Sequence, residues 1–325
     1  MAGRACCHTQ SAIAAVPTTC VYEPRGNEMR RKLTRQYELY VFLLPTLLYF
    51  ALFQYGPMYG IQIAFKNYQP VKGFLESPWV GWSHFIRFFR SYQFELVIKN
   101  TLVIGLYELL LFPIPVAMAI LINQLTSSKF KRFVQTVTYA PHFISLVVVV
   151  GMLYIFLSPH TGLLNHVIVG FGGEPVFFLG SAEWFKPIFV LSSVWQNAGW
   201  GAIIYLAALA GIHPELHEAA VVDGATKLQR IRHVDIPGIL PTVVIMLILN
   251  MGQFMNVGFE KAFLMQNSLN AVSSEVIQTY VYKSGLQSAQ YSYSAAIGFF
   301  NSLVNFVLLV IVNAIARRTR QASLW

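Results

Sequence analysis

Within otherwise apolar stretches, a few amide side chains recur at spacings that would line one surface. Asn250, Gln253 and Asn256 stand at i, i+3 and i+6, roughly one helical stripe. Ser294, Asn301 and Asn305, with Gly298 among them, fall on one face of another apolar run. Gln196 and Asn197 sit beside Trp195 and Trp200. Paired hydrogen-bonding groups next to flat apolar rings suit a polyhydroxylated ligand such as a sugar. The same amides also act as glue between membrane helices, and both readings stand. Glu108 lies inside an apolar run close to Pro113 and Pro115. A carboxylate at that depth faces the bundle or a wet cavity. No intramembrane base pairs with it as a proton relay would require, so it is read as facing a pathway or as hydrogen-bonded. Catalytic or metal chemistry has no support in the residue pattern. Cys6, Cys7 and Cys20 all lie in the first 20 residues, and the eight histidines show no metal spacing. His142, after Pro141, reads as a packing residue.

The elements that must position these groups are membrane helices. The 325 residues are 55% hydrophobic and only 11% charged, against about 25% charged in a soluble domain. That composition excludes an ordinary cytosolic enzyme and a disordered chain. Six stretches are long and apolar enough to cross the hydrocarbon: Leu39 to Phe65, Leu96 to Ile122, Val137 to Leu157, Phe185 to Ile212, Ile239 to Val257 and Ser294 to Ala316. They lack the strict alternation of barrel strands, so an all-α membrane protein is expected. The net charge of +9 is concentrated in alternate segments. One side holds the N-terminal arginines and Lys32, then Lys129, Lys131 and Arg132, then Lys227, Arg230 and Arg232, then Arg317, Arg318 and Arg320. The other holds Lys66, Lys72, Arg87, Arg90, Lys261 and Lys283. The positive-inside rule therefore places both termini in the cytoplasm. Residues 1–38 read as a basic cytoplasmic tail, of which Met1 to Glu28 is a disordered stretch or an over-long start. Residues 39–317 read as the membrane domain and 318–325 as a second cytoplasmic tail. On the outer side, Trp82 to Phe94 reads either as a short amphipathic surface helix or as an aromatic belt.

The loop His213 to Pro237 is far longer than a turn between two spans requires. Pro214 suits a first helical turn, Glu215 and Glu218 suit its N-terminal half, and Ala219 and Ala220 allow close approach by a partner. Gly224 can end that helix in a left-handed conformation. Leu228 and Ile231 suggest a second helix, closed before Pro237. The unit is expected to be two short helices with a glycine corner, standing out of the membrane.

Glu218-Ala219-Ala220, three residues, Gly224, nine residues, then Val234-x-Ile236-Pro237 resembles the EAA loop of ABC importer permeases. The family's hydrophobic-x-Leu-Pro ending appears here as Val-x-Ile-Pro. The resemblance implies a coupling helix that sits in a groove of an ATPase subunit and moves with it. It assigns ATPase coupling to Glu218, Ala219, Ala220, Asp223, Gly224, Ala225, Gln229, Ile236 and Pro237. No glycine precedes any lysine, so this chain has no phosphate loop of its own. It is therefore expected not to be an enzyme, with ATP and Mg bound by the partner ATPase and no cofactor in this chain.

From Tyr40 onward the chain is similar to binding-protein-dependent carbohydrate permeases, in particular a subgroup handling oligomers of polysaccharides, often uronate-containing ones from alginate or pectin. Gly56-Pro-Met-Tyr-Gly-Ile-Gln-Ile-Ala-Phe-Lys-Asn-Tyr68, Gly199-Trp-Gly-Ala-Ile-Ile-Tyr205, Asn256-Val-Gly-Phe-Glu-Lys261 and Gln290-Tyr-Ser-Tyr-Ser294 carry that likeness. It implies a six-helix type I ABC importer permease in the bacterial inner membrane, importing oligosaccharides. The implied partners are a second homologous permease chain, two ATP-binding subunits on the EAA loops and a periplasmic substrate-binding protein, with no nucleic acid. Substrate would pass Glu108, Gln196, Asn197, Trp200, Asn250, Gln253, Asn256, Asn301 and Asn305. One departure is plain: the external loops are too short for the large external domain of the family's maltose branch. The competing reading is a self-contained secondary transporter or channel for sugars, which would call for discontinuous helices, repeats or an ion relay and has no use for the long cytoplasmic loop.

Overall fold

The computed structural model describes residues 37–319 and 322–324. Of the expected tail 1–38, residues 1–36, Met1 to Glu28 included, lie outside the described residues. Among the described residues one isolated antiparallel bridge, Lys66 with Trp79, is the sole β pairing. The rest is helical or irregular.

The chain divides into two compact units at Gly60. In the first, α1 (Tyr37–Tyr49) contains Pro45 and is followed by a π-turn over Phe50–Tyr55, just ahead of Pro57. The second unit contains α2 (Ser83–Phe89), the 32-residue α3 (Tyr92–Asn123), α4 (Ser128–Tyr139) and α5 (Leu146–Phe156). These are followed by the 29-residue α6 (Ala182–Ala210), α7 (Pro214–Val222) and the 25-residue α8 (Lys227–Met251). Then come α9 (Phe259–Met265), α10 (Ile277–Tyr282) and α11 (Tyr291–Arg318), with shorter helices at Gly73–Glu76, Leu163–Gly170 and Ala271–Ser274 in the connections.

Four helical stretches among the described residues are long and apolar enough to cross a membrane: Tyr37–Phe65, α3, α8 and α11. The expected straight span Val137 to Leu157 is instead broken, with a 97° bend between Ser128–Phe143 and α5. The cause is local. Pro141 sits in a 3-10 turn, and Ile144 and Ser145 are extended, with ψ of 129° and 140°. The expected span Phe185 to Ile212 does form one helix, α6, but Trp195, Gln196, Asn197 and Trp200 make its middle too polar to stand with those four. The expected surface helix Trp82 to Phe94 is also shorter. It stops at Phe89, and its inner face is not on lipid: Phe85 and Phe88 are buried. Arg87 lies 4.5 Å from the centre of the Tyr293 ring and donates to Gln290 Oε1 at 3.0 Å, tying α2 to the start of α11.

Small residues set the close approaches between helices, as expected where lipid gives no hydrophobic drive for association, and large apolar side chains fill the space between them. Ala119, Ala202, Leu209 and Ile239 are buried where α3, α6 and α8 meet. Ile104, Val150, Phe185, Phe189 and Met265 join α3, α5, α6 and α9. The closest approach is at Gly199, where an added Cβ would lie 2.0 Å from the Thr138 carbonyl oxygen of α4. Gly199→Ala is expected to destabilise the chain by about 3 kcal/mol, the upper end of overpacking costs, read as a lowered melting temperature in detergent. Gly151→Ala, with nothing within 4 Å of the new methyl, is expected to leave it unchanged. Equal melting of the two variants would remove the claim that α4 and α6 touch backbone to backbone.

Candidate functional site: an elbow and a polar cavity

The elbow begins at α7, with Pro214 in its first turn. Its exit is a Schellman closure: Ala225 N–H donates to Ala220 O at 2.8 Å and Gly224 N–H to Val221 O at 3.0 Å. Gly224 has φ +75° and open space around it. The glycine is therefore required by the backbone conformation, not by crowding. The next helix starts at once, because Thr226 and Gln229 form a capping box. Thr226 N–H donates to Gln229 Oε1 at 2.7 Å, so Gln229 holds the corner together. Glu218, Ala219 and Asp223 are exposed, as are Leu216, Val221, Val222 and Leu228. Among the described residues neither Glu218 nor Asp223 has an ion-pair partner. The elbow thus offers two free carboxylates, a flat alanine and apolar side chains to whatever docks there.

The second helix of the elbow is not closed before Pro237, contrary to expectation. It runs unbroken from Lys227 to Met251 as α8. A π-turn over Ile231–Asp235 makes this possible. Proline in a helix lacks the N–H and presses its ring on the carbonyl of residue i−4. That carbonyl belongs to His233, inside the widened turn. Ile236 and Pro237 are exposed on the first turn beyond it. Buried beside them, Asp235 accepts from Gln124 Nε2 at 3.0 Å, and its other oxygen lies 3.4 Å from His217 Nε2. Asp235 therefore joins three elements: the elbow helix α7, the rod α8 and the end of α3. The sequence reading missed this clamp; its signal is a lone carboxylate at the threshold of an apolar run, which must find partners.

At the far end of α8 are two adjoining cavities of about 430 and 580 Å³, within the roughly 300–1,000 Å³ typical of ligand sites. Glu108, Ser193, Asn197 and Asn256 line both. Asn250 and Gln253 line the first, Gln196 and Lys261 the second. The three amides of the expected fifth-span stripe do meet here, but not as a stripe on one helix. α8 ends at Met251, and Gln253 and Asn256 come from the turn that follows. This turn is pressed on α3, where a Cβ at Gly105 would lie 2.7 Å from Phe254 O. It closes at Gly258, with φ +81°.

Asn256 is held in one orientation. Its oxygen accepts from Asn301 Nδ2 at 2.8 Å and from Gln278 Nε2 at 3.1 Å, and its own Nδ2 donates to Gln253 Oε1 at 2.6 Å. Asn197 Oδ1 is 3.1 Å from His142 Nδ1, and its amide donates to Ser193 O at 3.0 Å. Gln196 donates to Ile144 O at 3.0 Å, at the break before α5. The remaining expected pathway residues are not on the cavity walls. Asn301 is buried and backs Asn256. Asn305 is buried and accepts the Met255 N–H at 2.9 Å. Trp200 stacks on His142, ring centres 4.6 Å apart. Lys261, expected in an external loop, is instead buried and reaches the cavity. Glu108 therefore shares its cavity with a base.

Residues 112–321 match the family described as binding-protein-dependent transport system inner membrane component. The chain is 44% identical over 312 residues to the polygalacturonan/rhamnogalacturonan transport system permease protein YteP of Bacillus subtilis (strain 168), covering 96% of this chain and 97% of that protein. It is 42% identical over 302 residues to Protein LplB of the same organism, covering 93% and 95%. Among solved structures, a bacterial ABC transporter involved in the import of the acidic polysaccharide alginate aligns with a TM-score of 0.83 and 41% identity, over 90% of this chain and 99% of that one. A bacterial alginate ABC transporter in complex with an alginate pentasaccharide-bound periplasmic protein aligns with a TM-score of 0.83 at 40% identity, over 90% and 99%.

Proposed function

The chain belongs to the family of binding-protein-dependent transport system inner membrane components, with a type I ABC permease fold, and on that premise we propose that it moves acidic oligosaccharides inward across the bacterial inner membrane. In this reading it crosses the bilayer six times: the four apolar stretches, the bent pair α4–α5 and the polar-centred α6. Both termini lie in the cytoplasm, with 39–317 as the permease domain and 213–237 as its coupling loop. A second permease chain completes the pathway, two ATPase subunits bind ATP and Mg, and a periplasmic protein delivers the sugar.

One observation carries this reading: the elbow and the cavity are the two ends of one 25-residue helix. At about 1.5 Å per residue such a helix is about 37 Å long. A push on the corner at Gly224 is delivered along α8 to Asn250 and the turn bearing Gln253 and Asn256. Asp235 keeps the corner and the rod in one body. ATP binding draws the ATPases together, the elbows follow, and the cavity changes the side to which it opens. The cavity's amides and Glu108 meet the hydroxyls of each sugar unit in turn. The uronate preference is supported by the two kinds of relative above, a polygalacturonan/rhamnogalacturonan permease protein and a transporter involved in alginate import.

The test is ATPase stimulation of the reconstituted four-component complex by a panel of oligosaccharides. Oligogalacturonate and oligoalginate are expected to raise hydrolysis several-fold, and neutral oligomers of the same length to leave it at the basal rate. Stimulation by neutral sugars alone would remove the uronate assignment. Sugar uptake by this chain with no ATPase bound would overturn the permease reading in favour of a self-contained transporter.

A further inference from the structure

The cavity wall contains a lysine that nothing in the mechanism above uses. Gly258 turns the chain back into the bundle and α9 follows, so Lys261 is only 5% exposed. Its ammonium donates to Phe189 O at 2.9 Å and to Ser193 Oγ at 2.7 Å, and lies 5.0 Å from the centre of the Phe189 ring. All three partners are neutral. Among the described residues no carboxylate is within ion-pair distance of it, the ion pairs being His217–Asp235 and Lys283–Glu275. Glu108 lines the same cavity without forming that pair. An ammonium withdrawn from water pays a desolvation cost that a carbonyl, a hydroxyl and a ring return only in part. A methionine would fill the same space without it. The charge is placed where Gln196, Asn197 and Asn256 face the same space with hydrogen-bonding amides.

We infer that Lys261 reads the carboxylate of the passing sugar unit: it supplies the cation that a uronate needs inside the bundle, with Glu108, which lines the same cavity, as the competing anion that lets the unit leave. This rests on the permease reading and names the charge class of its cargo. The alternative role for the same geometry is a staple holding α9 to α6.

The experiment compares uptake of tri-galacturonate with that of its methyl ester, the same skeleton without charge, in proteoliposomes holding the full complex and one binding protein throughout. Lys261→Met is expected to lower the acid-to-ester uptake ratio at least tenfold, with ester uptake kept. Lys261→Arg, which keeps the positive charge, is expected to hold the ratio near its wild-type value. Glu108→Gln is expected to raise the ratio several-fold and keeps the question answerable should Lys261→Met fail to assemble. Equal loss of both substrates in Lys261→Met, or a ratio unmoved by Glu108→Gln, would overturn the inference and leave Lys261 a staple. Wild-type complex that takes up neither substrate would instead count against the oligosaccharide reading itself.

Discussion

Gly224→Pro is expected to lower ATP-coupled uptake about 100-fold while the chain still inserts in the membrane at wild-type yield. The corner needs φ near +75°, and proline is fixed near −65°. Proline also removes the N–H that donates to Val221 O. A misfit of about 3 kcal/mol, at about 1.4 kcal/mol per factor of ten, leaves about 1% of elbows in the coupling shape. Nothing crowds the site, so Gly224→Ala meets only the left-handed strain, about 1 kcal/mol, and is expected to lose less than tenfold. Uptake and ATP hydrolysis in proteoliposomes, with membrane yield as the control, separate the outcomes. Normal uptake by the proline variant would show that the corner is not a coupling element.

A second large effect is expected at Asp235. Replacing it by alanine leaves the half-buried Gln124 amide without its acceptor and the His217 ring without its ion-pair partner, at a cost of about 1–3 kcal/mol. The rod and the elbow helix are then no longer one body. Partner ATPase turnover is expected to continue while sugar moved per ATP falls about tenfold or more. Asp235→Asn keeps an acceptor for Gln124 and loses the attraction to His217, so its coupling ratio is expected between alanine and wild type. A coupling ratio unchanged in both variants would sink the clamp and leave Gly224 alone responsible for transmission.

What could be read directly from residue order was whatever depends on composition over a helix length or on one residue's backbone preference. The apolar runs of α3, α8 and α11 belong to the first kind, and Gly224 to the second. The failures arise where neighbours decide. Pro237 reads as a stop because proline costs a regular α-helix a hydrogen bond and crowds the carbonyl four residues back; a π-turn over Ile231–Asp235 precedes it here, and the helix goes on. Asn250, Gln253 and Asn256 fit a helical stripe, but the close contact of Phe254 with Gly105 goes with a turn after Met251. Lys261 counts as an outer-loop charge until Gly258 reverses the chain and buries it. The Gln290-to-Ser294 motif carries resemblance, yet its residues pack: Gln290 receives Arg87, and Ser292 receives the Tyr68 N–H at 2.8 Å. Asn301 and Asn305 match both of the roles open to them in the sequence, and only their bonding partners place them behind the cavity wall.

The unbroken course of α8 also imposes a phase. Each residue added to a helix turns everything beyond it by about 100° and advances it by about 1.5 Å. One insertion between Ile239 and Met246 would thus swing Asn250 away from its present heading relative to the corner, even with every apolar contact restored. The residue count of this rod is therefore under the same constraint as its chemistry. The widened turn ahead of Pro237 is the one place along it where an odd residue has already been absorbed.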